Sequence, residues 1–599
     1  MTADPGIKAR VRERLKETKT GSTAYFAYGQ LRQLPVRVAK HLGDLWHDGC
    51  DRVGVETSWE PPLEYQWQAI LRQSRSVLSA VDSNAGSRVL FGTSYGFNAF
   101  VLALHSMLAA ALALRGARPE FLACDKSLPA CDWNQCGNMQ PDPGEFGPRL
   151  PRMLGLSRCR QCTSSLENVY KLFPFATHRL SAYSAACDLP ALQAMVGRLG
   201  VQDLQSLAYR GVSIGEHANA TVVRLLMRAS ILPDNPHHLW LLRRETLGAA
   251  VAVDLVSALL DDRRPDCVVM QHGIYVTHGV MSDLARMKGI RVVVHEWADR
   301  KNTFIWSHGQ TTHRELIDEP VANWENLELG HDENQRLDEY LDAKLRSRLD
   351  WICHYPNPVQ DWALIARETG LGSNDRFVAL FTNTMWDAQL NYRSVAFPTM
   401  LDWVISTLEY ARRRPDLKFV FREHPAEARV WGRPGQRILE EVTGRVPEMP
   451  RNVHWILAES DISSYALASK AQASVVYGTK LGLELAARGL PVIVAGNAFV
   501  RGKGITRDVD AAAAYAALLD QVPGLPGLDS SALARARRYA YHYYFRRVTE
   551  IPCLRMENPV KGTKVTLQFR SIQELAAGRD SGLDQICEGI LTERPFVFA

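Results

Sequence analysis

The chain has 599 residues, of which 46% are hydrophobic, 23% charged and 9% aromatic. At roughly 100–200 residues per domain this length calls for about three or four folding units, and the balanced composition excludes disordered, collagen-like and coiled-coil chains. Seventy Lys+Arg against 65 Asp+Glu leave a net charge of +5, too weak for the concentrated basic face of a nucleic-acid-binding protein, so no nucleic-acid partner is expected.

The N-terminal twenty residues are polar and basic, with no apolar h-region or cleavage pattern, so nothing there marks the chain for secretion. Residues 1–85 read as a polar helical extension. Its basic stretch Lys8–Arg14 is a solvated helix face, with an anionic membrane surface as the alternative. Eleven cysteines, five of them crowded between Cys124 and Cys162, do not form the pattern of a short secreted disulfide framework. A reducing, cytoplasmic compartment is expected.

At Arg88 the pattern changes. Arg88–Gly92 is a short β-rich run, Phe97–Leu114 a long apolar helix and Pro119–Asp125 the next strand. The apolar helix is at the lower limit for a membrane span, about 18 residues. It carries Asn98, His105 and Ser106 and runs directly into Arg115-Gly116, which favours a buried helix. Strand, Gly-containing turn, helix and strand is the grammar of a parallel sheet. It returns at Pro265–Gly273, Met281–Lys288 and Gly289–Glu296, and again from Arg376–Asn383 through Gly489–Gly496. The expected fold class is therefore α/β, with two Rossmann-like doubly wound lobes. They occupy 86–335 and 360–525, bridged by 336–359, with a Cys-rich insertion at 124–162 and a helical tail over 526–599. Ligands of such sheets bind beyond the carboxyl ends of the strands. Neither G-x-G-x-x-G after the first strand nor G-x-x-x-x-G-K-[ST] occurs, which argues against dehydrogenase and P-loop readings. Two facing lobes without those fingerprints suggest a GT-B glycosyltransferase or a sugar-nucleotide epimerase.

The second lobe carries the sharpest motifs. Arg422-Glu423-His424-Pro425 follows a buried strand, and Pro425 restricts the backbone of His424, whose imidazole can donate to a phosphate oxygen. Tyr477-Gly478-Thr479-Lys480-Leu-Gly-Leu-Glu484 crosses from strand to helix. There Gly478 permits close backbone approach, Thr479 and the helix start suit an anion, and Glu484 suits a ribose diol. Arg501-Gly502-Lys503-Gly504 adds two cations in a glycine-containing loop. These motifs, with Gly489–Gly496 and Gly502–Thr506, resemble the capsular polysaccharide biosynthesis glycosyltransferases, a GT-B group akin to Kdo transferases and polysialyltransferases. The resemblance is good over about 375–510 and architectural over 86–335. It implies a nucleotide-sugar donor whose phosphate is contacted by His424 and Thr479, with Glu484 nearby.

The first lobe is then expected to hold the acceptor and a base for its hydroxyl. Strand-end candidates are His272, His295-Glu296 and Asp125, with Glu296 or His272 preferred; each taken alone is better read as a polar residue capping the next helix, and only as a set do they line the cleft. Cys159-x-x-Cys162, completed by Cys124 and Cys131 with Cys136 as substitute, has the spacing of a structural zinc site, with an iron–sulfur cluster second and free thiols as the alternative. As a class GT-B enzymes need no catalytic metal, so none is assigned a chemical role. Ala534–Arg547 mixes arginines with aromatic rings, which suits either the headgroup layer of the inner membrane, and hence a lipid-linked acceptor, or a helix packed against the lobes. The function expected is inverting transfer of a sugar to a glycan or lipid-linked acceptor in bacterial surface polysaccharide synthesis. The alternatives are a sugar-nucleotide 2-epimerase and a non-catalytic, metal-stapled scaffold.

Overall fold

The computed structural model describes residues 62–72, 74, 78, 86–131, 150–346, 349–372, 375–429, 435–557 and 564–598, with only the backbone described for 150–158, 389 and 429. Most of the expected N-terminal extension, its basic stretch and Cys136 lie outside the described residues.

Two sheets organise the chain. The first contains β1 (Arg88–Phe91), β2 (Arg118–Ala123), β3 (Ala176–Arg179), β4 (Cys267–Gln271), β5 (Arg291–Trp297), β6 (Thr303–His308) and β13 (Val548–Glu550), in the order β13-β6-β5-β4-β1-β2-β3. Strands β1 to β5 are parallel, while β6 and β13 add antiparallel at one edge. The second sheet is wholly parallel: β7 (Phe377–Phe381), β8 (Lys418–Arg422), β9 (Val453–Ile456), β10 (Ala473–Val476), β11 (Val492–Val494) and β12 (Arg507–Asp508), in the order β12-β11-β10-β7-β8-β9. The two doubly wound lobes expected from the sequence are present. Their strands read as near-continuous apolar runs because helices cover both faces.

In each sheet the chain reverses its direction of winding at one place, which opens a crevice beyond the strand ends. In the first lobe it lies between β1 and β4, and in the second between β7 and β10. Gly92, which ends β1, is required by packing: a Cβ there would lie 2.8 Å from Val268 Cγ1.

The apolar helix Ala99–Ala113 is buried on all sides. One face meets the first sheet; another meets the hairpin of β14 (Leu554–Glu557) and β15 (Lys564–Leu567) and the helix Ser581–Thr592. That double cover is why its sequence lacks a polar face. Among the described residues no helix is long and apolar enough to cross a membrane.

The C-terminal segment differs from the helical tail expected. After the helix Ser530–Tyr541 and one π-helical turn, it returns to the first lobe as β13 and adds the β14–β15 hairpin. The aromatic rings of this stretch are internal: Tyr539, Tyr543, Tyr544 and Phe545 are buried. Arg537 pairs with Asp338 at 2.7 Å and Arg547 with Glu315 at 2.6 Å. These four rings are spent on the core, as in the packed-helix alternative.

Candidate functional site

The second-lobe crevice is built from strand-end residues that bind one another. After β7, the Thr382 hydroxyl accepts the backbone N–H of His424 at 3.1 Å, and the Asn383 amide donates to the Gly478 carbonyl at 3.1 Å, across the β7–β10 reversal. His424 follows β8, half-buried. Its Nδ1 accepts the backbone N–H of Ala426 at 3.2 Å. Burial, then the positive groups His354, Arg422 and Lys480, push its pKa down to about 3. The ring is therefore neutral at physiological pH with its proton on Nε2, the tautomer that donates. Beneath it Arg422 is buried and donates to the Ser460 carbonyl at 2.6 Å and the Tyr355 hydroxyl at 3.0 Å. Pro425 opens the short helix Ala426–Arg429, as its fixed φ favours.

After β10, the Thr479 hydroxyl accepts the Leu481 N–H at 3.4 Å at the start of the helix Leu481–Ala486. Gly478 sits 3.0 Å, measured from an added Cβ, from the Asn497 carbonyl, leaving little room for a side chain. Lys480 forms an ion pair with Asp299 of the first lobe, and that carboxylate raises its pKa against the opposing effect of burial.

Three residues expected at the donor are engaged elsewhere. The Glu484 carboxylate is buried and accepts from Tyr465 at 2.6 Å, Tyr544 at 2.9 Å and Lys344 at 2.8 Å, so three of its roughly four lone-pair positions are filled. Lys503 is buried and donates to the carbonyls of Glu319 at 2.5 Å and Ile317 at 3.2 Å, tying its loop to the first lobe. Arg501 donates to the Val509 carbonyl at 2.9 Å and pairs with Asp510.

In the first lobe, His272 follows β4 with φ of 37°, ahead of Gly273 at 64°. Its Nδ1 accepts the Ile274 N–H at 3.4 Å, and its ring lies 4.7 Å from His278 and 4.8 Å from Tyr275, centroid to centroid. Burial, then His278 and Arg224, hold its pKa well below the ordinary histidine value. Behind it His105 and His295, both buried, meet Nε2 to Nε2 at 2.8 Å; His295 therefore faces the core. Asp125 accepts from Ser127 at 2.8 Å and from the Ser181 N–H at 3.1 Å, a turn contact.

Glu296, at the end of β5, is partly exposed and accepts from Thr312 at 3.1 Å, with His313 Nε2 at 3.4 Å. Burial would raise its pKa, but His313 and Thr312 outweigh it and hold the carboxylate low. The His313 Nδ1 in turn meets the Tyr392 hydroxyl of the second lobe at 2.8 Å, while Thr311 donates to Asn391 at 2.7 Å. His313, Tyr392 and Asn383 were not among the expected residues. Asn383 lies two residues past an apolar strand and was findable by that rule alone; His313 and Tyr392 have no local signal.

The cysteines do not form the expected metal centre. Cys124 follows β2, and Cys159 and Cys162 lie on the helix Leu150–Tyr170. Among the described residues no group of three or more His, Cys, Asp or Glu is arranged to hold a metal ion. The Cys162 Sγ instead accepts the Gly96 N–H at 3.1 Å, and burial pushes its pKa up to about 12, with Cys124 and Cys159 raised in the same direction. These three cysteines are partly exposed free thiols.

Comparison with known proteins gives one family: residues 358–528 match the sequence model described as "Capsule polysaccharide biosynthesis protein". No curated protein matches the chain. Among solved structures, the chain is similar to the Thermosulfurimonas dismutans KpsC β-Kdo 2,4 transferase, with 16% identity over 52% of this chain and 88% of that one, at a TM-score of 0.32. It is also similar to the Neisseria meningitidis UDP-GlcNAc 2-epimerase bound to UDP-GlcNAc, with 13% identity over 76% and 95% of the two chains and a TM-score of 0.23. A glycosyltransferase from Rickettsia africae matches at 8% identity over 77% and 94%, with a TM-score of 0.28. The matched stretch contains β7 to β12 with Asn383, His424, Gly478 and Thr479, so the similarity to the capsule polysaccharide biosynthesis proteins lies in the second lobe.

Proposed function

We propose that the protein is a GT-B glycosyltransferase that moves a sugar from a nucleotide-sugar donor to a glycan or lipid-linked acceptor in bacterial capsular-type polysaccharide synthesis. It works in the cytoplasm, at the inner face of the membrane when the acceptor is lipid-linked. The observation that supports this best is His424: a neutral imidazole with its proton on Nε2, beside the winding reversal of a wholly parallel sheet. The Thr479 hydroxyl and Lys480 stand at the neighbouring strand end. These groups meet the charge that develops on the donor phosphate as it leaves, and a preformed donor set lowers that barrier most effectively. Arg501 and Lys503 hold the adjoining loop in place. The acceptor hydroxyl attacks the anomeric carbon with inversion, and its proton is taken on the Glu296 side of the cleft rather than by the enclosed His272.

The test is a thermal-shift series with CMP-, UDP-, GDP- and dTDP-sugars and the free nucleotides, on the wild type and His424→Ala. One nucleotide class stabilising only the wild type supports a donor site. No shift with any of them removes the transferase reading. Release of an altered free sugar nucleotide without acceptor would identify an epimerase instead.

A further inference from the structure

We infer that His313 is the general base of this cleft, with Glu296 as its positioning residue and the place now taken by the Tyr392 hydroxyl as the seat of the acceptor hydroxyl. The inference deepens the transferase reading above and rests on it.

Thr311 caps the helix Thr312–Asp318 by accepting the Arg314 N–H at 3.2 Å, which sets Thr312 and His313 on its first turn beside the end of β5. Thr312 and His313 both address the same Glu296 oxygen, Oε2, at 3.1 and 3.4 Å. Glu296 is a poor base: a carboxylate held ionised by two donors has little affinity for another proton near neutral pH. His313 is affected in the opposite sense. Burial would lower its pKa, but the Glu296 carboxylate outweighs that and raises it.

A carboxylate orienting an imidazole from one nitrogen leaves the other to exchange a proton with a substrate hydroxyl. Here Nε2 faces Glu296, and Nδ1 is 2.8 Å from a phenolic O–H supplied by the opposite lobe. The Nδ1 edge thus already accommodates a hydroxyl group at hydrogen-bonding distance, between the two lobes. His272 offers no such edge: it is enclosed, its Nδ1 is occupied by a backbone N–H, and His278, Arg224 and His295 all disfavour its charged form.

In the step that follows, the acceptor O–H proton passes to His313 Nδ1 and the acceptor oxygen bonds to the anomeric carbon. The bond from that carbon to the donor phosphate oxygen breaks, leaving its electron pair on the phosphate. Glu296 holds the resulting imidazolium through Nε2–H. The charged groups that set the His313 pKa are Glu296 on β5, Asp387 on the segment after β7 and Lys480 before the helix Leu481–Ala486; Tyr392 and His272 also face it. Glu296 and Asp387 raise it and Lys480 lowers it. The base must be unprotonated, so the rate falls as pH falls through a value above that of an ordinary histidine.

The experiment uses the full chain and the sugar nucleotide selected by thermal shift, with nucleotide release to water as the reaction. His313→Ala is expected to keep the donor-induced thermal shift and to lose about 10²–10⁴-fold in release, with partial recovery on adding free imidazole. In Glu296→Gln the acid limb of the pH–rate profile should move to lower pH, and the His313 imidazole, followed by NMR in the free protein, should titrate lower as well. Retained turnover in His313→Ala with intact donor binding would overturn the assignment, as would a His313 titration unmoved by Glu296→Gln. Absent donor binding in the wild type would overturn the transferase reading instead.

Discussion

Each lobe ends a buried strand with a histidine whose Nδ1 accepts the backbone N–H two residues on: His272 with Ile274 at 3.4 Å, and His424 with Ala426 at 3.2 Å. The local device is the same and the setting is not. His424 stands half-buried at a crevice with Thr382, whereas His272 is packed against His278 and Tyr275 in the first-lobe interior. The comparison shows that a strand-end histidine acquires its role from what the rest of the fold leaves open around Nε2. Histidine at the end of a strand is not by itself a site.

The largest expected effect tests where the second lobe stops being a site and becomes a strut. Glu484→Ala leaves buried Lys344 with Asp350 alone, at 2.8 Å, and takes the acceptor from the Tyr465 and Tyr544 hydroxyls, each buried donor left unsatisfied costing about 1–3 kcal/mol. The loss should appear as a large fall in Tm with the donor-induced shift retained. A near-normal Tm with the shift abolished would return Glu484 to the donor. Next comes His424→Ala, which should abolish the donor-induced stabilisation, about 2.7 kcal/mol at ligand 100-fold above Kd. His272→Ala, the matching change in the first lobe, should preserve that shift; losing it would end the distinction drawn between the two histidines.

Acid sharpens the comparison further. Burial pushes His278 and His295 in the first lobe, and His424 in the second, to about 3. Each binds fewer protons folded than unfolded between about 3 and 6.5, so its contribution to stability is lost as pH falls below about 6.5. The slope approaches about 1.4 kcal/mol per pH unit per group. With two of the three in its interior, the first lobe should open first below pH 6, which hydrogen exchange resolves by segment. His278→Leu should make the acid slope of Tm shallower; an unchanged slope would show that His278 protonates freely in the folded protein. The smallest effect is expected of Arg501→Ala, because Arg501 is committed to Val509 and Asp510. Donor binding and stability should stay within about 0.5 kcal/mol, and a larger loss of donor binding would restore the loop to the phosphate.

Much of the architecture was legible because it is local. Apolar runs such as Phe377–Phe381 and Ala473–Val476, each closed by polar or small residues, announce parallel strands and their ligand-facing ends. The same rule points to His424 and Gly478–Thr479, and would have pointed to Thr382–Asn383 as well. The contacts of the charged residues are not local in this way. Glu484, Arg501 and Lys503 look available in sequence, but their partners lie on other elements: Lys344 is 140 positions before Glu484, and Glu319 is 184 positions before Lys503. The cysteine spacing was equally suggestive, yet a spacing states which thiols are near in the chain and not how their Sγ atoms converge.

What the sequence determined by itself was the pair of doubly wound sheets and the crevice in each, because strand periodicity, glycine turns and strand-end chemistry all act over a few residues. Only the tertiary structure decided which polar groups remain for a ligand. Burying a charge demands a partner at hydrogen-bonding distance, and those partners arrive from anywhere in the chain. The His313–Tyr392 contact joins residues 79 positions apart on opposite lobes, and the return of Val548–Glu550 to the first sheet joins strands further apart still.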